Sequence, residues 1–273
     1  MNSLDIQGHR GCRGLYPENT IDAFVHAAKL GVNTLEFDVV ISKDHKVIVS
    51  HEPFMSHTIC TAPDNKEITE ETELDHNIYD LDYAEIKTYD SGSKYFDRFP
   101  FQKKIKTFKP SLADVIQEVS KLSRDIFFNI EIKNRPEWDT KFHPPYRQFA
   151  DLVISEITNL GIFERTTVQC FQIPTLQYIN QNYPQTKLVY LIDNLDTPIE
   201  NLNKLGFTPH VYSPFYKLVN KSLIAFAEAN KMQVIPWTVN DTIAMKDLIE
   251  LGVTGIISDY PDKLINLHKE LTS

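Results

Sequence analysis

Short apolar segments alternate with amphipathic segments along the whole chain, and this alternation constrains the fold more than any other feature of the sequence. The apolar segments are rich in Val, Ile, Phe and Tyr, as expected for parallel strands that are buried on both faces. Stretches with apolar residues at helical spacing lie between and after them. The predicted strands are Leu4–His9, Thr34–Ile41, Phe127–Lys133, Thr166–Phe171, Lys187–Ile192, His210–Ser213, Gln233–Val239 and Gly255–Ser258.

Eight strands with eight following helical segments predict an α/β fold, a (β/α)8 TIM barrel. A doubly wound open sheet is the structural alternative. A barrel gathers functional groups where the strands end on one face, whereas an open sheet gathers them at one switch point. Among the helices, we predict Asn19 as the N-cap of the first and Gly31 as its end, and Ser111 as the N-cap of a later one.

One long segment interrupts the alternation. Residues 53–110 separate the second strand from its helix, which is far more than an ordinary strand-to-helix loop contains. We predict a single domain spanning residues 1–273, with a cap-like insertion at about residues 53–110; a plain surface excursion is the alternative. Before the insertion, Lys46–Ser50 is predicted to pair back as a hairpin, and within it Asp80–Lys87 is predicted to form a short helix.

Composition excludes several classes of protein. The formal net charge of −9 argues against a nucleic-acid partner, because affinity for nucleic acids depends on Lys and Arg that neutralise phosphates. No apolar run approaches the roughly 20 residues of a membrane span. No signal peptide is visible, so we expect a cytoplasmic protein, or a periplasmic or secreted one if a leader has been removed. The number of cysteines is odd, at positions 12, 60 and 170, which predicts free thiols.

Carboxylates occupy alternate positions near the ends of two predicted strands. Glu36 and Asp38 share one face of the second strand, and Glu131 and Lys133 share one face of the third. Burying three carboxylates at a barrel mouth costs free energy unless they are paired or bound to metal. Ligation by oxygen alone suits Mg²⁺, Ca²⁺ or Mn²⁺ better than zinc. Solvated rim charges or structural ion pairs are the alternative interpretation.

Two histidines and one arginine lie at strand ends in the same part of the chain. His9 and Arg10 directly follow the first strand, and His51 ends the apolar run 47–49. Histidine transfers protons near neutral pH, so the two imidazoles suggest an acid/base pair. The planar guanidinium of Arg10 matches two phosphate oxygens, and Lys133 could add a second cation.

Trp237 ends the seventh predicted strand, in Pro236-Trp237-Thr238-Val239-Asn240. Its indole could pack under the carbon backbone of a substrate, or it could fill the core, and the sequence leaves both interpretations open.

With these motifs in place, the chain resembles the glycerophosphodiester phosphodiesterase family over almost its whole length. The family fold is a (β/α)8 barrel with an insertion after strand two, where this chain has its excess residues. The matching motifs are His9-Arg10-Gly11, Pro17-Glu18-Asn19-Thr20, Glu36-Phe37-Asp38-Val39, His51, Asp80-Leu81 to Gly92, Asn129-Ile130-Glu131-Ile132-Lys133, Val168-Gln169-Cys170-Phe171, Trp237-Thr238-Val239-Asn240 and Gly255-Ile256-Ile257-Ser258-Asp259.

The resemblance implies metal-dependent hydrolysis of a small-molecule glycerophosphodiester to glycerol 3-phosphate and an alcohol. It implies that His9 and His51 are the general acid/base pair. It further implies that a divalent cation, Mg²⁺ or Ca²⁺, is held by carboxylates, that two cations bind the phosphate, and that an indole lines the glycerol side. These residues are Glu36, Asp38 and Glu131 for the metal, Arg10 and Lys133 for the phosphate, and Trp237 for the glycerol.

The chain departs from the family pattern at three positions. The family usually has Asp after the second histidine, where this chain has Glu52, and Ser where it has Cys170. Gln172 occupies the position of the acidic or amide residue that follows. The first change bears on the metal, and the other two bear on contacts with the substrate.

Three other functions remain as alternatives. A lysophospholipase D-like or cyclising phosphodiesterase would need an apolar groove for acyl chains. A non-catalytic phosphoglycerol-binding protein would have no need for two proton-transferring histidines. A barrel isomerase or aldolase that forms a Schiff base would need a desolvated lysine, and Lys133 is flanked by carboxylates.

Overall fold

The computed structural model describes residues 4–123 and 125–273. Within them, eight parallel strands form a nearly closed barrel, and a short ninth strand pairs antiparallel with the second. The predicted (β/α)8 barrel is therefore confirmed, and the predicted hairpin is present. The strands are β1 Asp5–His9, β2 Thr34–Ile41, β3 Val47–Val49, β4 Phe127–Ile132, β5 Thr166–Cys170, β6 Lys187–Ile192, β7 Val211–Pro214, β8 Gln233–Val234 and β9 Gly255–Ser258.

The parallel strands follow the order β8-β7-β6-β5-β4-β2-β1-β9. The predicted strand Gln233–Val239 is too long, because β8 ends at Val234 and the nearby Pro236 has no N–H for a ladder. The chain still closes the barrel here. Thr254 donates its N–H to the Val234 carbonyl at 2.9 Å, and Ile257 donates to the Pro236 carbonyl at 3.0 Å.

Helices cover the outside of the barrel, and short 3₁₀ turns punctuate the loops. The α-helices are α1 Ile21–Leu30, α2 Tyr83–Ile86, α3 Leu112–Ser120, α4 Tyr146–Asn159, α5 Ile173–Asn182, α6 Pro198–Leu205, α7 Lys221–Ala229, α8 Thr242–Leu251 and α9 Pro261–Thr272. The 3₁₀ turns are Pro63–Asn65, Glu73–Asp75, Ile78–Asp80, Pro136–Trp138, Phe163–Arg165 and Tyr216–Leu218.

The helix caps correct one prediction and confirm two. Thr20, not Asn19, is the N-cap of α1, because its hydroxyl accepts from the Ala23 N–H. Asn19 instead has a left-handed φ of 56° and donates its side-chain amide to Asp38 at 3.0 Å. Gly31 ends α1 in the left-handed conformation, as predicted, and Ser111 caps α3 in a capping box with Asp114.

The main apolar core lies between the barrel wall and the helices, and includes Phe24, Phe37, Phe128 and Phe149. The barrel interior is different. One part of it is apolar and is filled by residues from β6 to β9: Val189, Val211, Ile235 and Ile257. The part next to it, where β1, β2, β4 and β5 meet, is filled by buried polar side chains that are hydrogen-bonded to one another.

The insertion at residues 53–110 has a small apolar core of its own. Met55, Ile68, Ile78 and other buried side chains of the insertion pack on Val40 of β2 and Ile48 of β3. Most of its length is irregular, and the predicted helix Asp80–Lys87 is divided between the 3₁₀ turn Ile78–Asp80 and α2. The insertion is thus anchored on the flank of the barrel beside β2 and β3.

The described residues contain no helix that is both long enough and apolar enough to span a membrane. The three cysteines are buried and unpaired, as predicted.

Candidate active site

Strand register gathers the predicted site residues at one end of the barrel. His9 of β1 pairs with Glu36 of β2, and Asp38 of β2 pairs with Glu131 of β4. Glu131 in turn pairs with Gln169 of β5. In parallel strands, residues in register lie side by side and alternate residues share a face. The two-residue spacing seen in the sequence therefore becomes a compact polar cluster at the carboxyl ends of the strands.

Three carboxylates form the centre of this cluster. Glu36, Asp38 and Glu131 each offer an oxygen, these oxygens lie within 4.8 Å of one another, and all three side chains are buried. Burial, with Asp38 and Glu131 close by, raises the pKa of Glu36 well above its ordinary value. Burial also raises the pKa of Glu131, although Lys133 opposes that shift. This concentration of negative charge suits a hard divalent cation.

Asp38 is the carboxylate of the three that is best compensated by cations. Its side chain lies 3.2 Å from Arg10 Nε and 3.8 Å from Lys133 Nζ, and it accepts the Asn19 amide. Burial alone would raise the pKa of Asp38, but the nearby cations, Arg10 first, outweigh burial and lower it. Lys133 also donates to Glu131 at 2.7 Å. Asp38 is therefore held ionised.

A buried carboxylate contacts His9. The Nδ1 atom of His9 lies 2.6 Å from Asp259 Oδ1, and Asn240 donates its side-chain amide to the other oxygen of Asp259 at 2.7 Å. On the opposite side of the ring, His9 Nε2 lies 3.9 Å from Glu36. Burial lowers the pKa of His9, against the opposing effect of Asp259. Asp259 thus fixes the ring so that Nε2 faces the carboxylate cluster.

His51 has a comparable partner in its neighbour in the chain. Its Nδ1 atom lies 2.5 Å from Glu52 Oε1. Burial alone would raise the pKa of Glu52, but His51, together with Arg10 and Lys109, outweighs burial and lowers it. Among the described residues, Glu52 is not part of the carboxylate cluster. The Glu52 departure from the family pattern therefore places a longer carboxylate on the histidine.

The loop between β1 and α1 holds Arg10 in place. Arg10 has a left-handed φ of 49°, and its Nη1 donates to Glu18 at 2.6 Å. The other Glu18 oxygen lies 3.4 Å from Arg13 Nε. Gly11 follows with a φ of 87°, and a Cβ there would lie 2.8 Å from the Ala23 backbone, so this turn requires glycine. The motifs at 9–11 and 17–20 thus form one buried unit.

A cavity of about 720 Å³ opens above the cluster. Its lining includes the predicted residues His9, Arg10, Glu36, His51, Glu131, Lys133 and Trp237. Trp237 is half-buried: its ring is perpendicular to that of Phe171 and tilted against that of Phe215, and its Nε1 donates to the Ser213 carbonyl at 2.9 Å. It therefore both packs against the barrel and faces the cavity. The insertion contributes Arg98 to the lining.

Sequence reasoning assigned no role to several residues that hold this cluster together. Glu18, Gln169 and Asp259 are buried and contact Arg10, Glu36 and His9, respectively. Each lies in a motif that the resemblance includes, and Asp259 also follows an apolar strand directly. Asn19 was assigned to a helix cap and contacts Asp38 instead. For Gln169 and Asp259, the available signal was a polar residue within or beside an otherwise apolar strand.

A barrel whose strand ends carry clustered carboxylates, paired histidines and buried cations defines a phosphoester-cleaving class of enzyme. Residues 9–263 match the sequence profile of the glycerophosphoryl diester phosphodiesterase family, and the chain belongs to that family. It is accordingly a hydrolase of glycerophosphodiesters.

Individual relatives agree with this membership. The chain is 29% identical over 269 residues to a glycerophosphodiester phosphodiesterase of Caldanaerobacter subterraneus, with 98% of each chain covered. A crystal structure from Silicibacter pomeroyi, a putative glycerophosphoryl diester phosphodiesterase by name, superposes with a TM-score of 0.89 at 23% identity, covering 99% of this chain and 94% of that one. A phosphodiesterase from Oleispira antarctica, solved with the product sn-glycerol-3-phosphate, has a TM-score of 0.75 at 20% identity, covering 96% of each chain.

Proposed function

We propose that this protein hydrolyses glycerophosphodiesters to glycerol 3-phosphate and an alcohol, with a divalent cation and a histidine acid/base pair. The observation that carries the proposal is the set of three buried carboxylates within 4.8 Å, next to two histidines that each have a carboxylate on Nδ1. The Oleispira antarctica relative, with its bound sn-glycerol-3-phosphate, supports this choice of product.

The residues present fit a divalent cation. Glu36, Asp38 and Glu131 supply oxygen donors only, which favours Mg²⁺ or Ca²⁺ over softer metals. The raised pKa values of Glu36 and Glu131 reflect burial and the repulsion of Asp38, and a bound cation would offset that repulsion. Beside them, the side-chain oxygen of Asn19 is buried without a hydrogen-bond partner among the described residues. When bound, the cation would polarise a phosphoryl oxygen and neutralise developing charge.

The charge of the site supports the same conclusion. The cluster and the groups that contact it or its histidines contain six carboxylates and three permanent cations: Glu18, Glu36, Asp38, Glu52, Glu131 and Asp259, with Arg10, Arg13 and Lys133. A phosphodiester is itself an anion, so an excess of carboxylates disfavours its binding unless protons or a further cation offset their charge. A divalent ion would remove most of this excess of negative charge.

Arg10 and Lys133 are proposed to bind the phosphate. Arg10 donates from Nη1 to Glu18, and its remaining N–H groups can donate hydrogen bonds to phosphate oxygens. Lys133 donates to Glu131 and keeps two further donors on Nζ. Both side chains line the cavity. Burial alone would lower the pKa of Lys133, but Glu131 and Asp38 outweigh burial and raise it, so the ammonium stays charged.

His9 and His51 are proposed to move the protons. One takes a proton from the nucleophile, which is either water or the glycerol 2-hydroxyl of the substrate. The other gives a proton to the leaving alkoxide. Asp259 on His9 and Glu52 on His51 fix the rings through Nδ1, which leaves each Nε2 for proton transfer. Trp237, which contacts Phe171 and lines the cavity with it, is proposed to pack against the glycerol carbons.

The test is a product analysis on the purified protein. Glycerophosphocholine, glycerophosphoethanolamine, glycerophosphoglycerol and lysophosphatidylcholine are each incubated with Mg²⁺ or Ca²⁺, and products are identified by phosphorus NMR. We expect glycerol 3-phosphate from the first three substrates. A cyclic phosphate as the end product would instead indicate a cyclising phosphodiesterase, and no turnover of any substrate would contradict the proposal.

A second candidate substrate class is the lysophospholipids. An apolar groove of about 460 Å³ lies between α6 and α7 and shares Asn194 with the cavity. Its walls include Leu195, Ile199 and Phe226, and Leu195 is 91% exposed. Such a groove suits an acyl chain. Lysophosphatidic acid from lysophosphatidylcholine would support this candidate, and Phe226→Asp should then lower that rate while leaving glycerophosphocholine turnover unchanged.

A further inference from the structure

A chain of buried polar side chains crosses the barrel interior and ends on the carboxylate cluster. The side-chain amide of Gln7 donates to Asp5 at 2.7 Å, and the side-chain amide of Asn129 donates to Gln7 Oε1 at 2.9 Å. Asn129 also donates to Gln169 Oε1 at 3.1 Å, and the Gln169 side-chain nitrogen donates to Glu36 Oε1 at 2.5 Å. Barrel interiors are usually filled by branched aliphatic side chains, so this polar column requires a reason.

The column allows one orientation of the Gln169 amide. The Asn129 side-chain oxygen accepts from the Thr167 hydroxyl, and the Asn129 nitrogen donates to the Gln7 side-chain oxygen, so this nitrogen also faces Gln169. That nitrogen needs an acceptor, which places the Gln169 oxygen toward Asn129 and the Gln169 N–H toward Glu36. A reversed Gln169 amide would set its nitrogen against the Asn129 nitrogen and its oxygen against a carboxylate. The interior network therefore fixes a donor that points at Glu36.

Glu36 differs from the other two carboxylates in what holds it. One of its oxygens accepts from Gln169, and the other accepts from the backbone N–H of Arg10 at 3.1 Å. Both of these donors are neutral, whereas Lys133 contacts both Asp38 and Glu131. Glu36 is thus oriented without its charge being neutralised by a direct cationic hydrogen bond. Each carboxylate oxygen has two lone-pair directions, so one stays available on each.

We propose that Gln169 is a positioning residue that presents Glu36 to the divalent cation, with its amide oriented by Asn129. This inference rests on the proposed function, because it assigns a role in holding the same cation. Hydrogen-bond partners that orient metal ligands contribute to affinity, and losing one typically costs about 10–100-fold in metal affinity or activity. Gln169 acts through Glu36 and is not proposed to touch the substrate.

The test compares three variants of the full-length protein after its metal is removed with EDTA. Gln169→Leu and Gln169→Met remove the donor to Glu36 and keep a side chain of similar size. Gln7→Leu is the matched control, because it removes a column amide that also contacts Asn129 but does not touch Glu36. Binding of Mg²⁺ and Ca²⁺ is measured by titration calorimetry, and unfolding temperature is measured on the metal-free proteins.

We expect Gln169→Leu and Gln169→Met to lower metal affinity about 10–100-fold. We expect Gln7→Leu to lower the unfolding temperature while its metal affinity stays within about threefold of the unmodified protein. For the Gln169 variants, turnover should recover substantially at high cation concentration. Metal affinity unchanged in both Gln169 variants, while the unmodified protein binds metal, would overturn this inference alone. Absence of metal binding by the unmodified protein would overturn the proposed metal site as well.

Discussion

Asp259 and His9 are separated by 250 positions in the chain, yet Asp259 Oδ1 lies 2.6 Å from His9 Nδ1. β1 and β9 are neighbours in the barrel, which brings the two residues together at their carboxyl ends. Burial alone would raise the pKa of Asp259, but His9, with Arg13 and the Asn240 hydrogen bond, outweighs burial and lowers it, so the carboxylate stays ionised. This contact determines which nitrogen of His9 is available for proton transfer.

Replacing Asp259→Asn should therefore impair turnover more than metal binding. The asparagine side chain can turn its NH2 group toward His9 Nδ1, and His9 would then no longer be held in the tautomer that Asp259 imposes. We expect kcat to fall by roughly 10²–10⁴-fold, the range for losing a general acid or base. Metal affinity should stay within about threefold, since Asp259 does not touch the carboxylate cluster. Unchanged kcat in a folded variant would show that the contact is only structural.

His51→Ala and Glu131→Gln separate proton transfer from metal binding. We expect His51→Ala to cut turnover by roughly 10²–10⁴-fold while metal affinity remains nearly intact. Glu131→Gln replaces a carboxylate of the cluster with a neutral amide, so its main effect should be a lower metal affinity. Excess cation should then partly restore the rate. Calorimetry and turnover on the same preparations make the comparison. Loss of metal binding in His51→Ala would contradict this division of roles.

The leaving group then assigns the acid and the base. If His51 protonates the leaving alkoxide, the loss in His51→Ala should shrink for a p-nitrophenyl diester, because that leaving group needs no proton. Equal losses on good and poor leaving groups would make His51 the base and His9 the acid. The corresponding His9 variant should show the opposite pattern on the same two substrates.

Metal binding should strengthen as pH rises from about 5 to about 8. Burial and neighbouring carboxylates raise the pKa of Glu36, and burial raises that of Glu131. In the metal-free protein these groups hold protons at pH values where they would be ionised in an unfolded chain, so a cation must displace protons. Calorimetry in buffers of different ionisation enthalpy should detect that release. An affinity independent of pH over this range would contradict the shifts.

The same shifts give the sign of the stability change. A carboxyl group with a raised pKa binds protons more tightly in the folded state, so the metal-free protein should lose stability as pH rises through that pKa. Asp38 and Asp259 have lowered pKa values, and their contribution should be lost only as pH falls below about 4. Unfolding temperature measured against pH, with and without cation, checks both directions.

Arg98 offers a specific test of the insertion as a selectivity element. Its exposed guanidinium lines the cavity, so Arg98→Ala should favour the cationic choline headgroup over neutral glycerol by up to about fivefold, the effect of one exposed charge. Lys104→Ala is the matched control, because Lys104 is an exposed cation of the same insertion that stacks on Tyr95. Identical relative rates in all three proteins would argue against this role.

Much of the barrel could be predicted, because buried parallel strands leave a continuous apolar signal. Predicted and observed bounds agree for Thr34–Ile41, Lys187–Ile192 and Gly255–Ser258. β8 was overestimated because Pro236 follows it in an apolar stretch and cannot donate to a ladder. Asn19 was misassigned because Asn and Thr are both good N-caps, and only the contact with Asp38 distinguishes them.

The candidate site was predictable only in part. The spacing of Glu36 and Asp38 already placed both carboxylates on one face of a strand. The partners that orient the site residues come from distant segments: Gln169 for Glu36 and Asp259 for His9. Strand order and register bring these residues together, and neither follows from the local pattern. Glu52 is a neighbour of His51 in sequence, but its contact with Nδ1 depends on the loop conformation.

Removal and return of the cation test the central claim most directly. Oxygens of Glu36, Asp38 and Glu131 lie within 4.8 Å of one another, and a bound divalent ion would offset the repulsion between these carboxylates. Turnover of glycerophosphocholine to glycerol 3-phosphate is followed by phosphorus NMR before chelation with EDTA, after it, and after Mg²⁺ or Ca²⁺ is added back. We predict that chelation abolishes product formation and that one of these ions restores it. Full activity in a thoroughly chelated sample would contradict the assignment of these carboxylates.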